Sequence, residues 1–183
     1  MTNLTLVSSN GREHNHRTTM ADFDSYIGAS TGRGTLVVER APITQFAKSL
    51  GDHAPEYRNA DQARAAGFTD VLAPPTFGFS IQNWGKWEER QPAPDPDQRN
   101  PMAEVIGGLL ANGGLVLHGE QSFTYHRPMV VGDIMNFQGT VTAIYQKPTG
   151  DRVMTFMVID DVYTDAATGE LVLTSTMNLL HRS

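Results

Sequence analysis

The sequence contains no cysteine among its 183 residues. This absence excludes disulfide bonds, thiolate nucleophiles and cysteine-ligated metal sites. The chain also has no apolar run long enough to suggest a membrane span, and residues 1 to 20 lack the apolar core of a secretory signal. We therefore expect a cytoplasmic protein with no membrane partner and with a flexible N-terminal arm at residues 1 to 20.

Basic residues are few and scattered. The chain has 14 Lys and Arg against 20 Asp and Glu, which gives a net charge of −6 at pH 7. Because phosphate backbones are bound by clustered Lys and Arg, this balance argues against a nucleic-acid partner. His14 and His16 have a spacing that two metal ligands could use, but no third ligand lies near them in the sequence, so we expect no metal site. The ordinary content of 39% hydrophobic and 19% charged residues predicts one globular domain over residues 21 to 183.

The stretch Gly51–Trp87 combines a polar loop with an apolar helix. Pro74 and Pro75 suit the approach to a helix, and Thr76 is a candidate N-cap. Few polar residues follow, which predicts a helix over residues 76 to 87 that is buried on most sides. Gly78 in this helix would let a second backbone or a ligand approach closely. The apolar positions of the predicted helix are Phe77, Phe79, Ile81, Trp84 and Trp87.

Hydrophobic periodicity predicts further elements along the chain. The other predicted helices are Ala21–Ile27, Ile43–Leu50 and Ala60–Ala66. The predicted strands are Thr35–Glu39, Leu115–Tyr125, Ile134–Tyr145, Arg152–Tyr163 and Glu170–Leu180. Tight turns separate the last four strands, so we expect an antiparallel meander that packs one face on the helix at 76 to 87.

Residues 89 to 114 interrupt this pattern. Four prolines between Pro92 and Pro101 argue against regular structure there. Apolar residues follow on both sides of the pair Gly107 and Gly108, and we expect them to fold over the mouth of a binding tunnel or to lie in a loose surface loop. They are Val105, Ile106, Leu109 and Leu110.

Four motifs carry a resemblance to a known family. They are GDHAP at 51–55, AAGF at 65–68, APPTF at 73–77 and LHGEQSFTYHRPMVVGD at 117–133. Their order resembles the MaoC-like dehydratases, and most closely the N-terminal, or FAS1-like, dehydratase domain. The resemblance covers residues 20 to 181. It implies an α+β hot-dog fold, in which an antiparallel β-sheet wraps around a central buried helix.

The resemblance also implies a reaction. Active members of the family hydrate a trans-2-enoyl thioester, or dehydrate the (R)-3-hydroxyacyl thioester, with an aspartate and a histidine from a G-D-x-N-P-[IL]-H loop. An N–H group at the start of the central helix stabilises the thioester oxygen as enolate charge develops. The implied substrate is carried by coenzyme A or by an acyl-carrier protein, and the family requires no metal and no other cofactor.

This sequence departs from the family pattern at the catalytic positions. Asp52 and Pro55 match, but Ala54 replaces the expected asparagine and Tyr57 replaces the expected histidine. Pro75 falls where the glycine N–H is expected, and a proline has no N–H to offer. These departures resemble the non-catalytic subunits of the family, which pair with a catalytic hot-dog chain and shape its acyl pocket.

Several residues have two candidate roles. Asp52 is a retained base or a loop residue that binds its own backbone. His118 and Glu120 alternate along a strand, which predicts an acid/base pair on one face or a structural pair at a subunit boundary. The two candidate roles of Arg127 are contact with a coenzyme A phosphate and a solvated position at the end of a strand. The predicted substrate-binding residues at the helix are Pro75, Thr76, Phe77, Gly78 and Phe79.

These observations predict the substrate-shaping subunit of an (R)-specific enoyl-thioester hydratase or 3-hydroxyacyl dehydratase, acting as a heterodimer with a second MaoC-like subunit. Two alternatives stay open. One is a self-sufficient homodimer that uses Asp52 with Tyr57, or the pair His118 and Glu120. The other is a non-enzymatic acyl-thioester binding protein. A hot-dog thioesterase is disfavoured because residues 76 to 87 before Glu88 contain no carboxylate.

Overall fold

The computed structural model of the chain describes residues 23–94, 96, 99–150 and 152–182. The predicted arm at residues 1 to 20 and the first two residues of the predicted helix Ala21–Ile27 lie outside this range. The remainder of that helix is a short helical turn, in which the Tyr26 N–H donates to the Phe23 carbonyl at 3.0 Å. Phe23 is fully buried.

Five strands form one antiparallel sheet. They are β1 Ser30–Val37, β2 Leu115–Tyr125, β3 Ile134–Thr149, β4 Arg152–Asp165 and β5 Leu171–Arg182. Their order across the sheet is β1-β3-β4-β5-β2. The last four predicted strands are confirmed in number and in their order along the chain. The predicted meander holds for β3, β4 and β5, but it is wrong for β2, which pairs with β5 at the far edge of the sheet and not with β3. The first begins earlier than predicted, at Ser30, and ends at Val37.

The described residues contain four α-helices. They are α1 Arg40–Ser49, α2 Ala60–Ala65, α3 Phe77–Trp84 and α4 Pro101–Leu110. Short 3-10 turns occupy Pro55–Tyr57 and Glu88–Arg90. The central helix, α3, is shorter than predicted because Gly85 ends it against β1. A Cβ at Gly85 would lie 2.7 Å from the Val37 carbonyl oxygen, so only glycine fits there.

Helix α3 is buried on one side only. Phe77, Gly78 and Ile81 face the sheet and join a core formed with strands β1, β3, β4 and β5. The prediction of burial on most sides is wrong, because Phe79 is 48% exposed and Trp84 is 60% exposed in the single chain. The sheet wraps around half of the helix, and the other half is open.

Helix α4 corrects the expectation of an irregular segment at 89 to 114. Pro101 stands in the first turn, where a missing N–H costs little, and the Asn100 side chain caps the helix by accepting the Met102 N–H at 2.9 Å. Val105 and Leu109 are buried against the sheet. This second core lies beyond the first along the strands and contains Phe23, Met102, Val105, Leu109, Val141, Ile144, Met157 and Ile159.

The outer edge of β1 is covered by residues 85–91, which we call the edge segment. The Val37 N–H donates to the Gly85 carbonyl at 2.9 Å. The Gln91 carboxamide accepts the Thr35 N–H at 3.4 Å and donates to the Thr35 carbonyl at 2.8 Å. Gly34 makes room for it, because a Cβ there would lie 2.5 Å from Gln91 Oε1. One side-chain amide therefore pairs with this edge as a residue of a neighbouring strand would.

Among the helices that the structure describes, none has both the length and the apolar character needed to cross a bilayer.

Candidate functional site

The loop after α1 holds Asp52 in a turn. The Asp52 N–H donates to the Ala47 carbonyl at 3.0 Å, beside Gly51 with its φ of 69°. The Asp52 carboxylate accepts the Ala54 N–H at 2.9 Å, and the Arg58 guanidinium donates to the Asp52 carbonyl. Of the two roles predicted for Asp52, the geometry shows the hydrogen bond to its own loop. Its role as a base stays a prediction.

Tyr57, at the position of the family histidine, ends the 3-10 turn beside this loop. Burial raises the pKa of its hydroxyl above the usual value of 10.0, and the carboxylates of Asp52 and Glu56 raise it further. The phenol is therefore protonated at neutral pH. It can donate a hydrogen bond to a ligand, but it does not accept a proton as an imidazole does.

The N-terminal end of α3 is closed by a tyrosine from β2. Thr76 is the N-cap residue, as predicted, but its side chain makes no capping hydrogen bond. Tyr125 Oη donates instead to the Pro75 carbonyl at 2.7 Å. Burial raises the pKa of Tyr125 to about 12, against a smaller lowering by the backbone of Gly78. Tyr125 is thus a protonated donor at neutral pH.

Phe77 and Gly78, predicted to bind substrate, face the core instead. The Phe77 ring packs edge-on against Phe46 with 5.4 Å between centroids. A Cβ at Gly78 would lie 2.6 Å from Leu173 Cδ2 and 3.2 Å from the Tyr125 hydroxyl. Gly78 therefore brings α3 close to β5 and β2, and the close approach that the sequence predicted is made by the protein itself.

A cavity of about 320 Å³ lies between α1, α3 and β2. The residues that line it are Phe46, Thr76, Phe79, Ser80, His118, Gln121 and Phe123. Thr76 and Phe79, both predicted to bind substrate, thus lie together with His118. The Phe79 and His118 rings meet edge-on at 5.2 Å between centroids. This volume is at the lower end of the range for small-molecule pockets.

His118 and Glu120 do not share a face of β2, so the predicted acid/base pair is wrong in its geometry. The pairing with β5 shifts between them, with His118 opposite Leu179 and Glu120 opposite Asn178. The extra residue, Gly119, forms a β-bulge, which changes the face that later side chains take. His118 lies on the side of α3, whereas Glu120 lies on the outer face of the sheet.

Arg127 is bound by two carboxylates. Its guanidinium donates to Asp133 Oδ2 at 2.7 Å and to Asp165 Oδ2 at 2.9 Å. The backbone N–H groups of Thr168 and Ala167, and then Arg127, hold the pKa of Asp165 below its ordinary value. Arg127 therefore joins the end of β2 to the start of β3 and the end of β4. The Arg127 guanidinium is thus part of a structural ion-pair site, and it is neither the free phosphate ligand nor the solvated strand end that the sequence suggested.

Pro75 and Arg127 border a second cavity, of about 330 Å³, at the end of β2. It is lined by Phe68, Leu72, Ala73, Pro75, Tyr125, His126, Arg127, Pro128 and Met129. The Tyr125 hydroxyl, directed at the Pro75 carbonyl, lies between this cavity and the helix.

Sequence reasoning missed a polar contact under α3. Gln82 Nε2 donates to Asp161 Oδ2 and to the Tyr163 hydroxyl, at 2.9 Å each. Tyr163 in turn donates to the Gly78 carbonyl at 3.4 Å. Burial is the main cause that raises the pKa of Asp161. The sequence did contain a signal for this contact. Asp161 lies two positions from Ile159 and two from Tyr163 along β4, so all three side chains point to the same, inward face of the sheet.

The described residues contain no group of three or more His, Cys, Asp or Glu side chains arranged to hold a metal ion.

Fold and site together define a hot-dog domain of the dehydratase type, with a central helix in an antiparallel sheet and the Asp52 loop before it. The chain belongs to the family described as the FAS1-like dehydratase domain region, whose sequence profile matches residues 25–175. This is a dehydratase and hydratase family with the hot-dog fold, and the resemblance seen in the sequence is confirmed.

Known proteins similar to this chain support the assignment. A UPF0336 protein of Streptomyces griseus is 36% identical over 146 residues, which are 80% of this chain and 85% of the relative. The ChsH1-ChsH2 complex of Mycobacterium tuberculosis contains a chain with TM-score 0.64 and 23% identity, covering 83% of each chain. The HadBC (3R-hydroxyacyl-ACP dehydratase) complex of the same organism contains one with TM-score 0.59 and 16% identity, covering 85% of this chain and 96% of the other. The two structures show the shared fold.

Proposed function

We propose that this chain is the substrate-shaping subunit of a cytoplasmic (R)-specific enoyl-thioester hydratase or 3-hydroxyacyl-thioester dehydratase. A second hot-dog subunit contributes the complete Asp/His loop. The observation that carries the proposal is Tyr57, a phenol with a raised pKa at the position where the family has its histidine. Proton transfer at neutral pH is most efficient with a group whose pKa lies near 7. The pKa of the Tyr57 phenol lies above 10.0.

The start of α3 supports the same assignment. In active members a backbone N–H at this point stabilises the thioester oxygen, and Pro75 has none. The Pro75 carbonyl already accepts the Tyr125 hydroxyl at 2.7 Å. The loss of one oxyanion donor typically lowers the rate about 10²- to 10³-fold. The chain therefore lacks two catalytic groups at the positions where the family pattern supplies them.

What the chain offers a substrate is an apolar cavity. The rings of Phe46, Phe79 and Phe123 line the space between α1, α3 and β2, and this space would hold part of an acyl chain. The tunnel predicted between α3 and residues 89 to 114 cannot use Val105 and Leu109 as its lining, because both side chains are buried in the core. The acyl group is therefore assigned to the β2 side of α3.

The partner assignment draws on the open half of α3 and on the solved complexes. Phe79 and Trp84 are large exposed side chains on the central helix, a pattern typical of a surface that another chain covers. Two of the structures similar to this chain are complexes whose names give two components, ChsH1-ChsH2 and HadBC.

The test is hydration of enoyl-CoAs of increasing length, followed by loss of the enoyl-thioester absorbance. We expect feeble turnover by the chain alone and strong turnover when it is co-expressed with a hot-dog chain that has an intact D-x-N-P-x-H loop. A matched variant, Asp52→Asn, is expected to leave the activity of the complex almost unchanged.

Two results would contradict the proposal. Strong turnover by the isolated chain that is lost in Asp52→Asn would establish the self-sufficient homodimer. Acyl-CoA binding in calorimetry, with no turnover beside any hot-dog partner, would establish the non-enzymatic binder.

A further inference from the structure

A row of polar side chains crosses the inner face of the sheet. Gln121 lies on β2, Ser175 on β5 and Asp161 on β4, and Gln82 approaches them from α3. In the strand register Ser175 is directly opposite Asp161. The inward-facing residues on one side of this row belong to the core under α3, and those on the other side belong to the core under α4. We call these four residues the polar row.

The two glutamines of the polar row use all their amide donors within the protein. Gln82 Nε2 donates to Asp161 Oδ2 and to the hydroxyl of a β4 tyrosine, at 2.9 Å each. Gln121 Nε2 donates to Ser175 Oγ at 2.7 Å and to the Thr176 carbonyl at 3.1 Å. Because carboxylates and carbonyls only accept, these contacts fix which end of each carboxamide is the nitrogen.

Two oxygen atoms of the polar row accept no hydrogen bond from any residue that the structure describes. One is Gln121 Oε1, which is buried. The other is Asp161 Oδ1, because Gln82 donates to Oδ2 only. Gly139 on β3 leaves space beside Oδ1, since a Cβ at that position would lie 2.5 Å from it. The amide donors of the row are thus in use while two acceptors are unpaired, so the group that complements the row is a hydrogen-bond donor.

The polar row begins at the cavity between α1, α3 and β2. Gln121 lines this cavity of about 320 Å³ together with three phenylalanine rings. Gln121, Gln82 and Asp161 are each partly exposed, whereas Ser175 is buried. An acyl chain that enters the cavity therefore passes from apolar walls to polar side chains. A tail of methylene groups alone would leave the acceptors of the row unpaired and out of water, which costs free energy.

We propose that the polar row binds a hydroxyl group on the acyl tail of the ligand, with Asp161 Oδ1 as its acceptor, and so selects hydroxylated acyl thioesters over saturated ones. The inference rests on the proposed function, because it takes the ligand to be an acyl thioester. This hydroxyl is remote from the thioester and takes no part in the reaction. Because the row has a fixed place on the sheet, the preference depends on where along the tail the hydroxyl lies.

The experiment is calorimetric titration of the full chain with pairs of acyl-CoAs of equal length, one saturated and one with a hydroxyl at the end of the tail. The pairs cover a series of increasing lengths, at about pH 8, well above the ordinary pKa of an aspartate. We expect one range of lengths in which the hydroxyl tightens binding about tenfold or more. At other lengths the hydroxyl should weaken binding, because it is placed against apolar walls.

Asp161→Asn reverses the hydrogen bond that the row offers. Its carboxamide must present the oxygen to Gln82, which places an N–H where Oδ1 accepts in wild type. An acyl-CoA of the preferred length with a terminal methyl ketone can only accept, so it should bind about tenfold more tightly to the variant than to wild type. The matched control is Asp160→Asn, because Asp160 lies on the outer face of β4 and accepts the Thr176 hydroxyl there. It should behave as wild type.

Equal or weaker binding of the hydroxylated acyl-CoA at every length would overturn the proposal. So would an Asp161→Asn variant that keeps the wild-type preference for hydroxyl over ketone. If that variant does not fold, the pairs of acyl-CoAs on wild type decide alone. None of these ligands is hydrated. Turnover with a partner but no hydroxyl preference would reject this inference only, and hydroxyl preference without turnover beside any hot-dog partner would reject the proposed function only.

Discussion

The Tyr125 hydroxyl donates a hydrogen bond of 2.7 Å to the Pro75 carbonyl and thereby joins the end of β2 to the start of the central helix. The two residues are 50 positions apart in the sequence. Pro75 has no backbone N–H to donate at this point, and its carbonyl accepts the Tyr125 hydroxyl. We call this hydrogen bond the joint between β2 and α3.

The first prediction concerns this joint. Tyr125→Phe removes the hydroxyl and leaves the Pro75 carbonyl without its partner, so we expect the free energy of unfolding to fall by about 1 kcal/mol. Tyr145→Phe is the control, because the Tyr145 ring stacks on Phe156 at 5.0 Å and its hydroxyl makes no hydrogen bond to any residue that the structure describes. Urea unfolding measures both variants. Equal stabilities would show that the joint contributes nothing.

The second prediction concerns the pH dependence of stability. Burial raises the pKa of Asp161 in the folded state above its ordinary 3.8, so folding favours the protonated carboxyl. The stability that Asp161 contributes is complete below the unfolded-state pKa and is lost as pH rises through the folded-state pKa. Asp161→Asn keeps an acceptor for Gln82 and cannot ionise.

The measurement is therefore the unfolding free energy of wild type and Asp161→Asn between about pH 4 and pH 7. We expect the difference to grow in favour of the asparagine variant as pH rises. A difference independent of pH would show that the carboxyl ionises in the folded protein as it does in the unfolded chain.

The third prediction compares two helical glycines. A Cβ at Gly78 would lie 2.6 Å from Leu173 Cδ2 in a closed core, whereas nothing lies within 4 Å of a Cβ at Gly107. Gly78→Ala should destabilise the protein by about 1 kcal/mol or more through overpacking. Gly107→Ala should stabilise it by about 0.5 to 1 kcal/mol through helix propensity. Thermal unfolding of the pair tests this, and stabilisation by both changes would contradict close packing at Gly78.

The fourth prediction concerns Arg127. Arg127→Met should lower the midpoint of urea unfolding, because Asp133 and Asp165 lose their shared cation. Acyl-CoA affinity measured by calorimetry should stay unchanged, since both arms of the guanidinium are engaged within the protein. A loss of affinity for acyl-CoA, without a loss for the matching acyl-pantetheine, would restore the phosphate-binding role that the sequence suggested.

Much of the fold could be predicted because its strands carry a strong local signal. The alternation in β2 to β5 and the turns that join β3, β4 and β5 are visible in single segments, and Leu115–Tyr125 was located without error. Its pairing with β5 instead of β3 was not predicted, because strand pairing across the sheet leaves no signal within one segment. Helix α4 was missed because the prolines before it were weighed as breakers. Pro101 falls in the first helical turn, where proline is compatible with a helix, and Asn100 caps it.

The site was less predictable because it depends on register and on distant contacts. Strict alternation predicted His118 and Glu120 on one face of β2, but the bulge at Gly119 puts the two side chains on opposite faces. An isolated glycine inside a strand pattern is itself a signal for a β-bulge, and the prediction of strict alternation did not use it. The exposure of Phe79 and Trp84 was missed for a different reason, since apolar patterning does not show whether the chain itself or a second chain covers a surface.

The inner face of the sheet holds two separate cores, one under α3 and one under α4. Such a division predicts two units on one sheet that open separately. We therefore expect local opening of helix α4 to expose Val105 and Leu109 while Phe77 and Ile81 stay buried. Opening of this kind would give a bulky molecule a transient route to the sheet from the α4 end, while the joint at Tyr125 and Pro75 stays intact.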